Sequence, residues 1–361
     1  MENGKVIKLS HKEFLETDKD YEKTARVAKL HYVRDTDPGI NRIKKGKGFF
    51  YIFEGKTVKG KDEIARISKL AIPPAWEKVW ICKLCNGHIQ ATGLDVRKRK
   101  QYRYHALWNF LRNETKFHHL YEFGKMLPQL RLKMEQDISS KELTQEKVLA
   151  TVLGLMQRTY IRIGNSEYEK MNGSYGLTTL KNKHVAINGD KMLFSFKGKN
   201  GIHHNITLRN KKLAKTVKEC RDIPGKELFQ YYDTDGSRKA IDSGMVNSYI
   251  KETAIMDFTA KDFRTWAGSL HALHALRSIG EAITETEIKK NIVLMLDTVS
   301  GKLGNTRAVC KKYYVHPGLI KLYEENKLMK YLSSLDVPEA DDNKSGLTEE
   351  EEILMQVLKN S

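Results

Sequence analysis

The apolar residues of this 361-residue chain change their period near residue 104. Before that point they fall in short aromatic and β-branched runs between Gly-Lys turns, such as Phe49-Phe50-Tyr51-Ile52-Phe53 and Lys78-Val79-Trp80-Ile81. That is the pattern of strands. After Tyr104 the spacing is helical, beginning with Leu107, Phe110 and Leu111. A chain this long favours two domains over one. The expected fold is therefore α+β, with a small β-sheet-rich lobe over residues 1–108 and a mainly α-helical lobe with a small antiparallel sheet over 126–335. Residues 109–125 are the candidate linker, although no Gly/Ser tract marks it, and 336–361 form an acidic tail.

Several elements can be placed in advance. A short helix is expected from Asp62 to Leu70, ending before Pro73-Pro74. A long one runs from about Gln145 to Ile163, with Val148, Leu149, Val152, Leu153, Met156 and Tyr160 on its apolar face. Thr144 caps its start and Gly164 its end, which puts Arg162 in its closing turn. A hairpin over His184–Ile187 and Met192–Phe196 is followed by a second turn and a strand over His204–Leu208, so Lys199 is displayed at a hairpin tip. Thr259-x-x-Asp262 has the form of a capping box, and the helix after it buries Phe263, Trp266, Leu270 and Leu273, with Arg264 one step off that stripe. A further helix carries Ile288, Ile292, Met295, Val299 and Leu303 up to Gly304-Asn305. A short one follows over Thr306–Val315, stopped by Pro317, and the tail forms a terminal helix over Thr348–Leu358, most simply a solvated one.

The net charge is +18, which suits a polyanion and above all nucleic acid, although ribosomal and membrane-surface proteins share this balance. Residues 336–361 hold eight acids and two bases, a net of −6, which leaves the rest at +24. Four cysteines are too few for a disulfide framework. No apolar run approaches a membrane span, and Met1-Glu2-Asn3-Gly4-Lys5 does not open a signal peptide, so a cytoplasmic protein with no membrane partner is expected.

Some motifs carry little. Gly55 to Gly60-Lys61 nearly spells a P-loop, but Asp62 stands where Ser or Thr must hold magnesium, so a surface turn is the better reading. Cys82-x-x-Cys85 with His88 is at most half a zinc site, since Cys220 and Cys310 lie far off. His203-His204 reads as an exposed pair at a strand start. No tight Asp/Glu cluster suits two-metal chemistry, and neither a metal nor another cofactor is expected.

Two sets of motifs, in order, carry more. The first is Ile72-Pro73-Pro74-Ala75-Trp76, Asn86 to Gly93 and Lys100-Gln101-Tyr102-Arg103-Tyr104. It resembles the N-terminal domain of bacterial and poxvirus-type DNA topoisomerase IB. The second is Tyr160 to Asn165, Gly176 to His184, Phe196-Lys197-Gly198-Lys199, Lys261 to Thr265, and Leu303 to Tyr314. It is similar to the catalytic domain of that family. The resemblance spans roughly residues 28 to 325. It implies a two-lobed clamp, active as a monomer on double-stranded, nucleoid-associated DNA. That clamp relaxes supercoils through a 3′-phosphotyrosyl intermediate without ATP or metal.

The chemistry asks for such residues. Attack on a phosphodiester by an oxygen nucleophile adds about one negative charge in the transition state, and a metal-free site must meet it with fixed cations. Arginine's planar, permanently charged fork suits two phosphate oxygens, and the resemblance assigns this role to Arg162 and Arg264. It makes Tyr314 the nucleophile, nine residues after Asn305. An ordinary tyrosine costs about 4 kcal/mol to ionise at neutral pH, and nearby guanidinium groups lower that cost. Tyr313 is the rival, but neighbouring helical residues point about 100° apart, so only one of the two can face a given phosphate. Lysine can release a proton to a poor leaving group where arginine cannot, and Lys199 resembles the family's general acid. Asn305 takes the place of a poxvirus histidine and can donate a hydrogen bond without titrating.

Lys100, Gln101, Tyr102, Tyr104, Tyr168 and Lys261 match DNA contacts of the family, with Lys261 also able to assist Lys199. Alternating tyrosines in a strand are equally one face of a core. Two rivals stand beside this reading. Tyrosine recombinases share an Arg–Lys–Arg–Tyr set but carry His-x-x-Arg where this chain has Lys261-x-x-Arg264. A non-catalytic basic DNA-binding protein would show only salt-sensitive binding.

Overall fold

The computed structural model describes residues 20–46, 48–332 and 345–360. The N-terminal pentapeptide read above, and positions 336–344 of the acidic tail, lie outside them. The chain is α+β and forms two compact units, Met1–His119 and Leu120–Ser361.

In the first unit, helix α1 (Tyr21–Val27) precedes a sheet of six strands: β1 (Gly39–Lys45), β2 (Gly48–Phe53), β3 (Lys56–Thr57), β4 (Glu77–Cys82), β5 (Ile89–Leu94) and β6 (Lys100–Tyr104). Their order is β3-β2-β1-β4-β5-β6, antiparallel throughout. Helix α2 (Lys61–Lys69) buries Ile67 against Ile40, Val79, Ile81 and Ala91. The near P-loop is used up by the turn after β2, by β3 and by Gly60, which caps α2. Helix α3 (Ala106–Ile138) covers the whole of the expected linker 109–125. Leu111, Phe117, Leu120 and Phe123 are buried along it, and the division between units falls within it.

The second unit is helical around one small sheet. It contains α4 (Gln145–Thr159), α5 (Ser166–Asn172), the antiparallel sheet β7 (Val185–Asn188), β8 (Lys191–Lys197) and β9 (His203–Arg209), then α6 (Lys211–Asp222) and a ribbon of β10 (Gln230–Tyr232) and β11 (Arg238–Ala240). Helices α7 (Ser243–Ala254), α8 (Ala260–Ile279), α9 (Glu285–Leu303), α10 (Arg307–Tyr313), α11 (Pro317–Glu324), α12 (Met329–Leu332) and α13 (Glu349–Lys359) complete it. Among the described residues no helix is long and apolar enough to cross a membrane.

Three expectations change here. Helix α4 stops at Thr159, not near Ile163, because Tyr160 takes a left-handed backbone (φ 57°). Arg162 therefore lies beyond the helix in irregular chain, where its carbonyl accepts from the Leu177 N–H at 2.8 Å. Pro317 does not merely stop a helix; it opens α11, where a missing N–H costs nothing. Finally, the terminal helix α13 is not solvated. Ile353, Leu354, Val357 and Leu358 are buried, and so is Glu351, at 3% exposure.

Candidate active site

Helix α8 begins at a capping box: the Thr259 N–H donates to the Asp262 carboxylate at 2.8 Å. Its first turns bury Phe263, Trp266 and Ala267, and they take Arg264 inward with them, leaving it 6% exposed. A buried guanidinium needs partners, and here they are backbone carbonyls. Nη1 donates to Tyr160 O at 2.5 Å and Nη2 to Leu303 O at 2.7 Å. Both acceptors lie where a helix ends, α4 and α9, so their carbonyls have no intrahelical partner and carry the negative end of the helix dipole.

Arg162 is held in the same way. Its Nη2 donates to Gly304 O at 3.1 Å and to Asn305 Oδ1 at 2.7 Å, just past the end of α9. Among the described residues neither arginine has a carboxylate partner. The two are oriented without being neutralised. Burial and the neighbouring Arg264 charge push the Arg162 guanidinium down to about 10, and burial lowers Arg264 as well. Both remain protonated at neutral pH. Their unneutralised charge is what an incoming phosphate would relieve.

Tyr314 is the first residue beyond α10, and it sits half-buried on the α8 side. The Arg264 guanidinium carbon stands 5.4 Å from its ring centroid, close enough for the phenol to act on the Arg264 charge. The close approach depends on Gly268: a Cβ there would lie 2.5 Å from Tyr314 O and 2.8 Å from Tyr314 Cβ. Ser269 Oγ donates to the same carbonyl at 3.3 Å. Tyr313 is exposed, with Lys312 above its ring at 5.2 Å. Of the two tyrosines, only Tyr314 meets the arginine pair.

Lys199 opens a one-turn 3-10 segment between β8 and β9 and is exposed at the hairpin tip. It lines a cavity of about 20 Å³, the space of one water, together with Arg162, Lys302 and His204. Of His203-His204, expected as an exposed pair, the second member is not exposed. His203 is exposed, but His204 is half-buried, shares a face with Ile206 and Leu208, and stacks on Phe196 at 5.1 Å. Burial, then Arg162 and Arg264, lower its pKa, so it is neutral at pH 7. The alternation His204-x-Ile206-x-Leu208 was the signal in the sequence that could have revealed it.

The expected DNA contacts fall in both units. In the first, β6 is an edge strand. Lys100, Tyr102 and Tyr104 share its exposed face, with the two tyrosine rings stacked at 5.6 Å, so this alternation is not a core face. Lys100 pairs with Asp35 at 2.6 Å, which raises its pKa, and Gln101 donates to Asp95 at 3.0 Å. In the second unit, Tyr168 is half-buried on α5 near enough to Arg162 to act on its charge, and Lys261 is exposed one turn before Arg264. Among the described residues no group of three or more His, Cys, Asp and Glu is gathered as a metal site would require. Cys82 is buried and Cys85 exposed.

The sequence is also similar to proteins of one family. Residues 98–335 match the family described as eukaryotic DNA topoisomerase I, catalytic core, and residues 48–95 match the bacterial DNA topoisomerase IB N-terminal domain. DNA topoisomerase 1B of Acanthamoeba polyphaga mimivirus is 36% identical over 296 residues, which is 80% of this chain and 88% of the relative. DNA topoisomerase 1B of vaccinia virus (strain Copenhagen) is 23% identical over 243 residues, 67% of this chain and 74% of the relative. DNA topoisomerase 1 of rabbit fibroma virus (strain Kasza) is 26% identical over 230 residues, 62% and 68% of the two chains. With a matched N-terminal domain that sets it apart from the recombinase alternative, and a catalytic match over most of its length, this chain belongs to the type IB DNA topoisomerases.

Proposed function

We propose specific roles for the gathered residues in the family's reaction, the relaxation of supercoiled DNA through a transient 3′-phosphotyrosyl bond. Tyr314 Oη attacks the phosphorus, and the P–O5′ bond breaks. Arg162 and Arg264 hold the nonbridging oxygens as charge builds there. Asn305, whose Oδ1 is occupied by Arg162 and whose Nδ2 donates one N–H to Leu303 O at 3.4 Å, gives its second N–H to the same oxygens. Lys199 gives its proton to the leaving O5′. The freed 5′-hydroxyl end rotates and then attacks back, returning the proton and resealing the strand. The energy of the broken bond is kept in the phosphotyrosine, so the cycle consumes no ATP.

The observation that carries this reading is the way the two arginines are held. Backbone carbonyls and one amide orient them beside the Tyr314 phenol, so their charge remains available to a phosphate. We further propose that the chain acts as a monomer on duplex DNA, with Lys100, Gln101, Tyr102, Tyr104, Tyr168 and Lys261 as contacts, in the cytoplasm with the nucleoid.

The test is plasmid relaxation in EDTA without ATP, coupled to detergent trapping of the covalent adduct. The parent protein relaxes the plasmid and is trapped on it. Tyr314→Phe does neither, and Lys199→Ala slows cleavage by about 100-fold or more. A Tyr314→Phe protein that still forms the adduct would refute the assignment.

A further inference from the structure

Lys199, the proposed general acid, sits on an exposed turn whose base is tied by the Tyr175 N–H to Lys197 O at 2.8 Å. Lys199 is exposed, and the two residues after it have left-handed backbones, Asn200 at φ 63° and Gly201 at φ 80°. The turn closes on itself through the Gly198 N–H to Ile202 O at 2.7 Å. The turn by itself does not set how far the Lys199 ammonium stands from Arg162, which lines the same small cavity.

The His204 ring spans that gap. Its strand position is set by register, opposite Phe196, whose ring it stacks against at 5.1 Å. One edge lies on Gly198, the residue before Lys199: a Cβ there would fall 2.6 Å from both Cδ2 and Nε2 of His204. Its Cε1–Nε2 side faces Gly304, where a Cβ would fall 3.3 Å from Cε1 and 3.9 Å from Nε2. Gly304 supplies the carbonyl that holds Arg162 and is followed by Asn305, which holds it too. One flat ring thus lies against the backbone that carries the acid and faces the turn that orients the clamp. Arg162, Lys199 and Lys302 face it across the cavity, and the Arg264 and His203 charges also act on it. A cationic ring would be repelled from all of these, whereas a neutral imidazole packs among them.

We propose that His204 is a positioning residue whose ring clips the Gly198–Lys199 tip to the Gly304–Asn305 turn and so sets the distance from Lys199 to the leaving oxygen. This rests on the reading of Lys199 as general acid. The ring itself exchanges no proton. When P–O5′ breaks, the proton passes from Lys199 Nζ to O5′, and it returns by the same route on resealing.

The test is single-turnover cleavage of two duplexes by the full chain. One duplex is ordinary, and the other carries sulfur in place of the bridging O5′ at the cleavage site. A thiolate leaves without protonation, so it removes the need for the acid while keeping the clamp and the nucleophile. His204→Ala should slow cleavage of the ordinary duplex by about 100-fold, the scale of a misplacement near 1 Å. On the sulfur duplex its deficit should shrink to about 2-fold, which also shows that the variant is folded. His204→Phe, which keeps a ring on Phe196, should stay within about 3-fold of the parent on both duplexes, an effect far smaller than the loss of an acid.

Equal slowing of His204→Ala on both duplexes, or no slowing on either, overturns the proposal. So does a selective loss in His204→Phe as large as that in His204→Ala, which would make the imidazole nitrogen a chemical participant. Should His204→Ala not fold, His204→Leu serves in its place under the same criteria. Lys199→Ala, run alongside, separates the two ideas. If the sulfur duplex does not rescue Lys199→Ala, the general-acid reading fails. If it rescues Lys199→Ala but not His204→Ala, only the present inference fails.

Discussion

At the scale of the residue, the site is built on contacts that tolerate no added atom. Tyr314 follows a short helix whose end is set by the Tyr314 N–H donating to Cys310 O at 2.9 Å. Its backbone then rests directly on the α-carbon of Gly268. The methyl group of Gly268→Ala would meet backbone rather than a flexible side-chain end, so Tyr314 must move away from Arg264. We expect single-turnover cleavage to fall by about 100-fold while DNA affinity, measured by fluorescence anisotropy, stays near the parent value. Parental cleavage by Gly268→Ala would show that the contact does not position the nucleophile.

At the scale of the element, the C-terminal helix is part of the catalytic unit's support. Glu351 on α13 accepts two hydrogen bonds from Arg131 at 2.7 Å each, and a third from Trp266 Nε1 at 2.9 Å. Burial alone would raise its carboxyl pKa, but the bonds and charge of Arg131 outweigh that and hold it low. Trp266 lies two residues beyond Arg264 on α8, so the acidic stretch braces the helix that carries the clamp. Glu351→Ala strands a partly buried guanidinium and should cost about 3 kcal/mol in urea unfolding. Replacing Arg131 and Glu351 together by apolar residues of like volume should recover most of that loss. A Glu351→Ala protein as stable as the parent would show that the pair contributes nothing.

At the scale of the whole molecule, protonation works against the fold as pH falls. Burial lowers the pKa of His88, His105, His184, His204 and His271, the last to about 4. An unfolded histidine takes up its proton near pH 6.5, whereas folded His271 does not until about pH 4. Its stabilising contribution is complete above about 6.5 and is lost as the pH falls towards about 4. Unfolding free energy should therefore decline across this window, and His271→Phe should flatten the decline. A His271→Phe profile parallel to the parent's would remove this histidine from the account.

Much of this protein is written locally. The change of period at Tyr104, the capping box at Thr259, the hairpin around Lys199 and the stripe from Ile288 to Leu303 all appear in the structure close to where spacing places them, because each depends on neighbours a few residues away. The motifs also carried the five candidate catalytic positions. What spacing could not convey is how distant backbone groups meet. Periodicity ran α4 on to Ile163, whereas the carbonyl of Tyr160, at the helix end, is bound by Arg264 from 104 residues away. The run of acids around Glu351 has the composition of a solvated face, yet Arg131, 220 residues distant, claims one of them. His204 follows another histidine at a strand start, as a surface residue would, yet its ring faces Gly304 from 100 residues away in the chain. Hydrogen-bonding and packing partners far apart in sequence leave no period behind, so only the folded chain shows which carbonyl, carboxylate or ring edge each charge comes to rest on.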